Sequence, residues 1–147
     1  RRFFKNLINL IPISRKPNPE SLDLDDTMTL SKAFMDLGNN IIIFPEGSRG
    51  EVGKIQRFRK GAVKFSIGLD VPILPAAIMG AEKAWPKGEK FIKPFPITVK
   101  VLPKMNPPKN CSTKVAYNKA LSKVTKELET KIKKAVKDLE TTNLELL

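Results

Sequence analysis

Histidine is absent from the sequence, and cysteine occurs once, at Cys111. A single thiol cannot form a disulfide within the chain, so a reducing compartment is the default expectation. Imidazole and thiolate groups are also the usual ligands of zinc and related metals. We therefore expect no metal site, and we interpret Cys111 as a small side chain without a reactive role.

Long apolar runs are missing as well. The longest extends from residue 71 to residue 81 and contains two prolines. A membrane-spanning helix needs about 20 apolar residues, so this run is too short to cross a bilayer. The sequence therefore predicts that any membrane contact of these residues is peripheral.

Acidic residues are few relative to basic ones. The chain has 27 Lys and Arg against 15 Asp and Glu, a net charge of +12. Such an excess favours anionic partners, which include nucleic acid, phospholipid headgroups and phosphorylated substrates. We predict no nucleic-acid partner, because the chain has one Trp, one Tyr and no recognisable nucleic-acid-binding motif. A basic nucleic-acid-binding module is kept as an alternative.

The central stretch, IIIFPEGSRG at residues 41–50, joins an apolar run to a polar turn. Four apolar residues in succession, Ile41 to Phe44, are typical of a strand buried on both faces of a parallel sheet. Pro45 has no backbone donor, so the strand is expected to end there. Open α/β sheets bind ligands at the carboxyl ends of such strands. The predicted fold class is α/β, with a mostly parallel central sheet flanked by helices.

The polar residues after this strand suit an anion. Gly47 and Gly50 permit a positive φ and a close approach of a ligand to the main chain. Arg49 offers a planar group of donors that fits a phosphate or a carboxylate. Glu46 can accept from a hydroxyl or orient an arginine. On these residues alone, a solvated turn without a ligand is an equally good interpretation.

Two further patterns follow this turn, RFRKG at residues 57–61 and VPILPAAI at 71–78. Together with FPEGSRG at residues 44–50, they resemble the glycerolipid acyltransferase family of lysophosphatidic acid and glycerol-3-phosphate acyltransferases. The family has four ordered blocks: H-x-x-x-x-D, an arginine-ended apolar strand, F-P-E-G-[ST]-R and V-P-[IV]-x-P. IPISR at residues 11–15 is similar to the end of the second block. The resemblance covers about residues 3–102.

The first block departs from the family, because a chain without histidine cannot contain the catalytic histidine. The sequence also begins with Arg1 rather than methionine. We therefore expect a fragment of a longer protein, with the His and Asp of the first block upstream of Arg1 and the N-terminal part of the domain missing. A non-catalytic lipid- or phosphate-binding relative, in which the histidine is truly absent, is the alternative.

The resemblance implies transfer of a fatty acyl group to the free hydroxyl of a glycerol-phosphate or lysophospholipid acceptor in phospholipid biosynthesis. The co-substrate would be acyl-CoA or acyl-carrier protein, with no cofactor. The expected location is the cytoplasmic side of a membrane, against its anionic surface. This fragment alone is expected to be inactive, because the catalytic residues lie upstream.

The resemblance also assigns residues of this chain to the site. The acceptor would be bound by six residues: Arg15, Glu46, Gly47, Ser48, Arg49 and Lys60. Three others would position these residues without contacting the acceptor: Phe44, Pro45 and Pro75. Lys60 and Gly61 are also predicted to open a short helix that ends at Leu69, and the free N–H groups of a helix start attract anions.

Two strands are predicted after that helix. Residues 71–78 are interpreted as a buried strand, and residues 97–101 as a half-exposed edge strand. Pro75 lies inside the first, where a central strand would lose a hydrogen bond, so a bulge or a strand end is expected there. Trp85 is interpreted as a packing residue, with contact to an acyl chain as the alternative.

Two helices are predicted by apolar spacing. Acids at Asp23, Asp25 and Asp26 precede the first, and Gly38 suits its end; its apolar positions are Thr27, Leu30, Phe34 and Leu37. From Thr113 to Glu140 apolar residues recur at steps of three and four, which predicts a long amphipathic helix. Two placements of this helix are left as alternatives: it packs on the sheet, or it lies on anionic lipid.

The predicted organisation is a single partial acyltransferase domain over residues 1–147. Within it we expect the core blocks at 1–102, a proline-rich connection at 103–112 and the C-terminal helix at 113–147. The acceptor's identity, the acyl donor and the chain length are not predicted by any of these residues.

Overall fold

A computed structural model describes residues 11, 24–109 and 111–144. The chain forms two compact units, Arg1–Ile43 and Phe44–Leu147. Arg15, one of the predicted acceptor-binding residues, lies outside the described residues.

The first unit contains helix α1 (Leu24–Asp36), which has Asp25 and Asp26 in its first turn. Acidic side chains there stabilise the positive end of the helix dipole, as predicted. Past the helix, Gly38 has a φ of +83° and its N–H donates to the Met35 carbonyl at 2.9 Å. Glycine adopts this conformation with little strain, so the predicted end of the helix is confirmed.

The buried side of α1 differs from the predicted apolar side. Thr27 and Ser31 are fully buried, whereas Phe34 and Leu37 are 36% and 78% exposed. The Ser31 hydroxyl donates to the Thr27 carbonyl at 2.7 Å, so this buried polar group is satisfied within the helix itself. Thr27 was one of the predicted positions, so the spacing predicted the helix but only part of the face that it buries.

The second unit has five helices and strands among its described residues. In chain order they are α2 (Gly61–Leu69), β1 (Ala76–Met79), α3 (Ala81–Ala84), β2 (Thr98–Val101) and α4 (Lys114–Leu144). Strands β1 and β2 pair antiparallel, and α4 contacts both β1 and α2. The order confirms the predicted helix after Lys60 and the predicted long C-terminal helix.

The predicted mostly parallel sheet is wrong. The sheet in the described part of the chain has two antiparallel strands, and residues 41–44 are not in it. Ile42 is 81% exposed and Phe44 is 70% exposed, so the predicted burial on both faces is wrong as well. A strand needs a neighbour that pairs with its backbone groups, and the described residues offer residues 41–44 none. Four apolar residues in a row indicate a preference for strand but supply no partner.

Pro75 interrupts the sheet, as its position predicts. Strand β1 begins directly after it, and on its other side Ile73 pairs with Met105 in an isolated bridge. Between this bridge and the paired strands, residues 74–75 face residues 102–104. The two segments between these pairs differ in length, so regular pairing stops here and the strand ends at Pro75. The predicted longer strand is thereby reduced to four residues.

Strand β2 is half-exposed, as predicted, but its valines lie on the exposed face and its polar residues on the inner one. Val99 and Val101 are 56% and 59% exposed, and Lys100 points the other way, with its Nζ 3.9 Å from the Asp138 carboxylate on α4. Opposite Lys100 on β1 is Ala77, which is fully buried. The sheet therefore places its small and charged residues toward α4 and its valines toward solvent.

Helix α4 has 31 residues and begins with a side-chain cap. The Thr113 hydroxyl accepts from the Ala116 N–H at 3.1 Å, which satisfies one of the open donors of the first turn. Leu121, Leu128 and Ala135, two helical turns apart, are buried, as the predicted apolar face requires. None of the helices in the described ranges combines the length and the apolar composition that crossing a bilayer requires.

The core joins the loop of residues 44–60 to α4. Phe58, Met105 and Leu128 form a buried cluster, and four partly buried residues pack around it: Ile55, Ile73, Val124 and Ile132. Phe58 comes from the loop, Met105 from the segment after β2 and Leu128 from α4. The loop that carries the predicted site is therefore fixed at one end by the core.

Candidate functional site

The loop of residues 44–60 begins with a tight turn. The Gly47 N–H donates to the Phe44 carbonyl at 3.0 Å, which puts Pro45 at the second position of the turn, where its fixed φ is favourable. Gly47 has a φ of +71°, a conformation that other L-residues adopt only with strain. The turn brings the chain directly to Ser48 and Arg49, both of which are exposed.

Two hydrogen bonds close the loop onto itself. The Glu46 Oε2 accepts from the Gln56 N–H at 2.7 Å, and the Arg59 N–H donates to the Pro45 carbonyl at 2.8 Å. Gly50 packs closely against Gln56, since a Cβ there would lie 3.1 Å from the Gln56 side chain. Glu46 therefore fixes the shape of the loop, because its hydrogen bond to Gln56 holds the two ends of residues 46–56 together.

Arg49 lies against a tryptophan from another loop. Its Cζ is 4.8 Å from the centroid of the Trp85 ring, which is within the range of a cation–π interaction. The indole Nε1 donates to the Glu89 carbonyl at 2.9 Å, so the ring is itself held. The guanidinium has several N–H donors, and a contact with the ring does not use all of them. A phosphate or carboxylate can therefore bind Arg49 while the arginine stays over the ring.

Lys60 lies at the start of α2 and serves as its N-cap residue, without a side-chain hydrogen bond to the helix. Its Nζ donates instead to the Ser122 hydroxyl on α4 at 2.9 Å. The side chain therefore spans from the loop to the C-terminal helix. Lys60 and Arg49 have different partners, one on α4 and the other the Trp85 ring.

Glu129 on α4 holds the other end of the loop. Its Oε2 accepts from the Phe58 N–H at 3.0 Å, and its Oε1 accepts from the Lys133 Nζ at 2.6 Å. The Lys133 hydrogen bond, followed by the Phe58 N–H, holds the pKa of Glu129 below its ordinary value, and the charge of Arg57 adds to this more weakly. Desolvation acts in the opposite direction but does not prevail.

Comparison with known proteins decides the family. Residues 1–79, more than half of the chain, match the acyltransferase family. The chain belongs to the acyltransferase family.

Individual members of this family share parts of the sequence. A 1-acyl-sn-glycerol-3-phosphate acyltransferase from Limnanthes douglasii is 42% identical over 67 residues, which are 46% of this chain and 24% of that protein. An enzyme of the same name from Cocos nucifera is 33% identical over 85 residues, which are 58% of this chain and 27% of that protein. The chain thus spans about a quarter of the length of these plant relatives.

A solved acyltransferase has a similar fold. The crystal structure of the 1-acyl-sn-glycerophosphate acyltransferase PlsC from Thermotoga maritima matches with a TM-score of 0.62 and 25% identity, over 82% of this chain and 47% of that chain. The fold of this chain is therefore of the same type, with a small antiparallel sheet and a long C-terminal helix.

The predicted site residues that the structure describes lie in three places. Phe44 to Arg49 form one continuous turn, and Lys60 lies at the start of α2. Pro75 lies directly before β1, where its carbonyl accepts from the Leu102 N–H at 2.9 Å. The observed role of Pro75 is therefore a backbone hydrogen bond beside the sheet. The assignment of these residues to an acceptor pocket stays a prediction.

Two residues that support the site were not predicted. Trp85, interpreted as a packing residue, is 44% exposed and contacts Arg49. It is the one tryptophan of the chain, and this was the only feature of the sequence that could have drawn attention to it. Glu129 is separated by 71 residues from the N–H that it binds. Its sequence context, an acid four residues before a lysine, is typical of any exposed helix, so no pattern distinguishes it.

The pKa of Glu129 leads to a testable pH dependence. Because this pKa is lower in the folded chain, the carboxylate stabilises the fold above its ordinary pKa, and the stabilisation is lost as pH falls through the folded value. Glu129→Gln should lower the free energy of unfolding by about 1 kcal/mol at neutral pH, as measured by urea denaturation. At a pH where the Glu129 carboxyl is protonated in both the folded and the unfolded chain, the difference from the unmodified chain should disappear.

Glu127→Gln is the matched control. Glu127 also pairs with the lysine four residues on, Lys131, but both side chains are more than 40% exposed. Exposed pairs of this kind contribute about 0.3–0.5 kcal/mol, so this variant should remain close to the unmodified chain. An effect of Glu129→Gln that equals the control, or that persists in acid, would contradict the anchoring role of Glu129.

Proposed function

We propose that the whole protein transfers a fatty acyl group from a thioester donor to the free hydroxyl of lysophosphatidate in phospholipid biosynthesis, and that this chain binds the acceptor's phosphate. Family membership supports acyl transfer, and the names of the plant relatives support a lysophosphatidate acceptor. The observation that carries the phosphate-binding role is Arg49, which is exposed at a fixed turn and lies over the Trp85 ring.

The turn prepares Arg49 for a phosphate. Glu46 fixes the loop through the Gln56 N–H, and Gly47 provides the backbone conformation that brings the chain to Ser48 and Arg49. The guanidinium edge offers paired donors to two phosphate oxygens, and the Ser48 hydroxyl is placed one residue before it. A side chain held in advance loses less conformational freedom on binding.

Lys60 contributes to the proposed pocket by charge. Its ammonium group is held by Ser122 at 2.9 Å, and it stands at the amino end of α2, where the helix dipole is positive. We expect it to raise the local positive potential rather than to form the principal contact. Arg15 completes the proposed set, by resemblance to the family's second block.

The reaction itself requires a base that these residues do not supply. In the proposed mechanism a histidine outside this chain removes the proton of the acceptor hydroxyl, whose oxygen attacks the thioester carbonyl. The new C–O bond forms as the C–S bond breaks, and the thiolate leaves and takes up the proton. Binding the phosphate orients the hydroxyl and makes a bimolecular step effectively unimolecular.

Acyl transfer by the whole protein tests this proposal. Labelled acyl-CoA and acyl-carrier protein would be offered separately, each with lysophosphatidate, glycerol 3-phosphate or another lysophospholipid. We expect a phosphatidate product from lysophosphatidate and release of one free thiol for each ester formed. The 147-residue chain alone should give none, because it has no histidine to act as the base. Turnover by this chain alone would overturn the mechanism, and absence of turnover by the whole protein would overturn the function.

We also propose that the protein contacts an anionic membrane surface, on the cytoplasmic side. The net charge of +12 and the exposed lysines of α4 support this contact. The chain should bind vesicles that contain anionic lipid at low salt and be released as salt rises, because the Debye length shortens to about 10 Å at 0.1 M. Vesicle sedimentation over a salt series measures this.

Neutral vesicles and duplex DNA are the controls for that experiment. The chain should bind neutral vesicles weakly at every salt concentration, since charge contributes little there. Equal binding to neutral and anionic vesicles would contradict the charge-based contact. Binding to DNA as tight as binding to anionic vesicles would favour a nucleic-acid-binding module instead.

A further inference from the structure

The segment between α3 and β2 exposes large apolar side chains close together. Phe91 is 80% exposed and Ile92 is 70% exposed, while Trp85 and Phe95 are 44% and 41% exposed. We call residues 85–95 the aromatic loop. Adjacent exposed apolar residues of this size are unusual on a soluble surface and mark an interaction site.

The aromatic loop is held in shape by hydrogen bonds. The Lys93 N–H donates to the Ala84 carbonyl at 2.8 Å, and the Glu89 N–H donates to the Pro86 carbonyl at 3.2 Å. The Trp85 Nε1 closes the same turn by donating to the Glu89 carbonyl at 2.9 Å. Phe91 and Ile92 therefore project from a closed loop, and their exposure follows from its geometry.

Cations surround these apolar side chains. Lys83, Lys87, Lys90 and Lys93 are all exposed, and the Lys83 Nζ lies 5.2 Å from the centroid of the Phe95 ring. Glu89 is the one acid of the aromatic loop, and it pairs with Lys93 at 3.3 Å. The loop itself therefore combines an apolar tip with a net positive border.

This combination fits a lipid surface better than a protein partner. Lysine is depleted in the centres of protein–protein interfaces, but lysine interleaved with aromatic and aliphatic residues is typical of segments that lie in the membrane interface. There the apolar side chains enter the region of the first acyl carbons, the indole lies at the headgroup level, and each lysine attracts anionic headgroups.

We propose that the aromatic loop inserts into the interface of an anionic membrane, with Phe91 and Ile92 deepest. This inference deepens the proposed membrane contact by naming the segment that makes it. It also has a consequence for the site, because the Arg49 Cζ lies over the Trp85 ring, 4.8 Å from its centroid. An inserted loop holds the Arg49 guanidinium at the level of the headgroups, where the phosphate of a membrane-bound lysophospholipid lies.

The single tryptophan of the chain makes the insertion measurable. Trp85 fluorescence would be recorded with the 147-residue chain bound at low salt to anionic vesicles, in which part of the lipid carries bromine on acyl carbons near the headgroup. Bromine quenches indole only at short range, so we expect strong quenching relative to unbrominated vesicles. Bound protein without quenching would overturn the proposal, because the chain would then dock through another surface such as α4. Failure to bind at all would overturn it too.

Two sets of variants separate the loop from the rest of the surface. Phe91→Ser with Ile92→Ser should weaken vesicle binding about tenfold or more, since both side chains leave water on insertion. Leu37→Ser is the matched control, because Leu37 is 78% exposed, lies in neither the aromatic loop nor α4, and should leave binding unchanged. Lys87→Gln and Lys90→Gln should each weaken binding about fivefold at low salt.

The same double variant, made in the whole protein, tests whether another part of the protein covers the aromatic loop. Vesicle binding should weaken there by a similar factor. If only the 147-residue chain responds, the rest of the protein covers the loop and the proposal is overturned. Quenching and binding do not depend on acyl transfer, so their failure would leave the proposed reaction standing, and a failed reaction would leave the proposed insertion standing.

Discussion

Gly80→Ala is expected to lower the free energy of unfolding by roughly 2–4 kcal/mol. Gly80 has a φ of +91°, which an alanine adopts only with strain. In addition, the Pro96 carbonyl occupies the position that a Cβ on Gly80 would take. Because that neighbour is backbone, the base of the aromatic loop must shift to admit a methyl group. Urea denaturation followed by circular dichroism would measure the change.

Gly88→Ala separates the two causes. Gly88 has a similar φ of +97°, but a Cβ there would have nothing within 4 Å. Its expected cost is about 1 kcal/mol, from backbone strain alone. Equal effects of the two substitutions would show that the Pro96 carbonyl contributes nothing to the free-energy cost. The close approach of Gly80 to Pro96 would then be incorrect.

Arg49→Ala in the whole protein is expected to lower kcat/KM for lysophosphatidate by at least ten- to a hundredfold. The reason is the loss of hydrogen bonds to a charged phosphate, which contribute roughly 1.5–3 kcal/mol. Arg49→Lys should recover only part of the activity, because an ammonium group cannot reproduce the planar pair of donors. The KM for the acyl donor should barely change, because the proposed contact is made to the acceptor.

Lys54→Ala is the charge-matched control for that experiment. Lys54 lies in the same loop but pairs with Glu51 at 2.7 Å, and both side chains are more than 70% exposed, so its removal should leave acceptor kinetics unchanged. Thermal unfolding should be nearly the same for the Arg49 and Lys54 variants, since neither side chain belongs to the core. Unchanged acceptor kinetics in Arg49→Ala, or loss of the fold, would make Arg49 a structural residue.

Local patterns predicted the helices well. The steps of three and four between Tyr117 and Leu139 predict α4, and its buried residues fall on that face. The Lys60–Gly61 start of α2 and the break at Pro75 were also predictable, because a helix start and a proline act within one turn of the chain.

Properties that depend on distant partners could not be predicted in the same way. The run Ile41–Phe44 has the composition of a buried strand, yet pairing depends on a neighbour that composition does not specify. The antiparallel pairing of β1 with β2 was likewise outside the reach of the pattern. In the site, the motif FPEGSRG identified Arg49, but its support by Trp85 depends on two loops meeting in space.

The most direct test of the account compares two acceptors that differ only in the phosphate. Acyl transfer by the whole protein would be measured with lysophosphatidate and with the corresponding monoacylglycerol, in the unmodified protein and in Arg49→Ala. If Arg49 binds the phosphate, the unmodified protein prefers lysophosphatidate by about ten- to a hundredfold or more, and the variant loses most of that preference. A preference that survives intact in Arg49→Ala would contradict the proposed role of this chain.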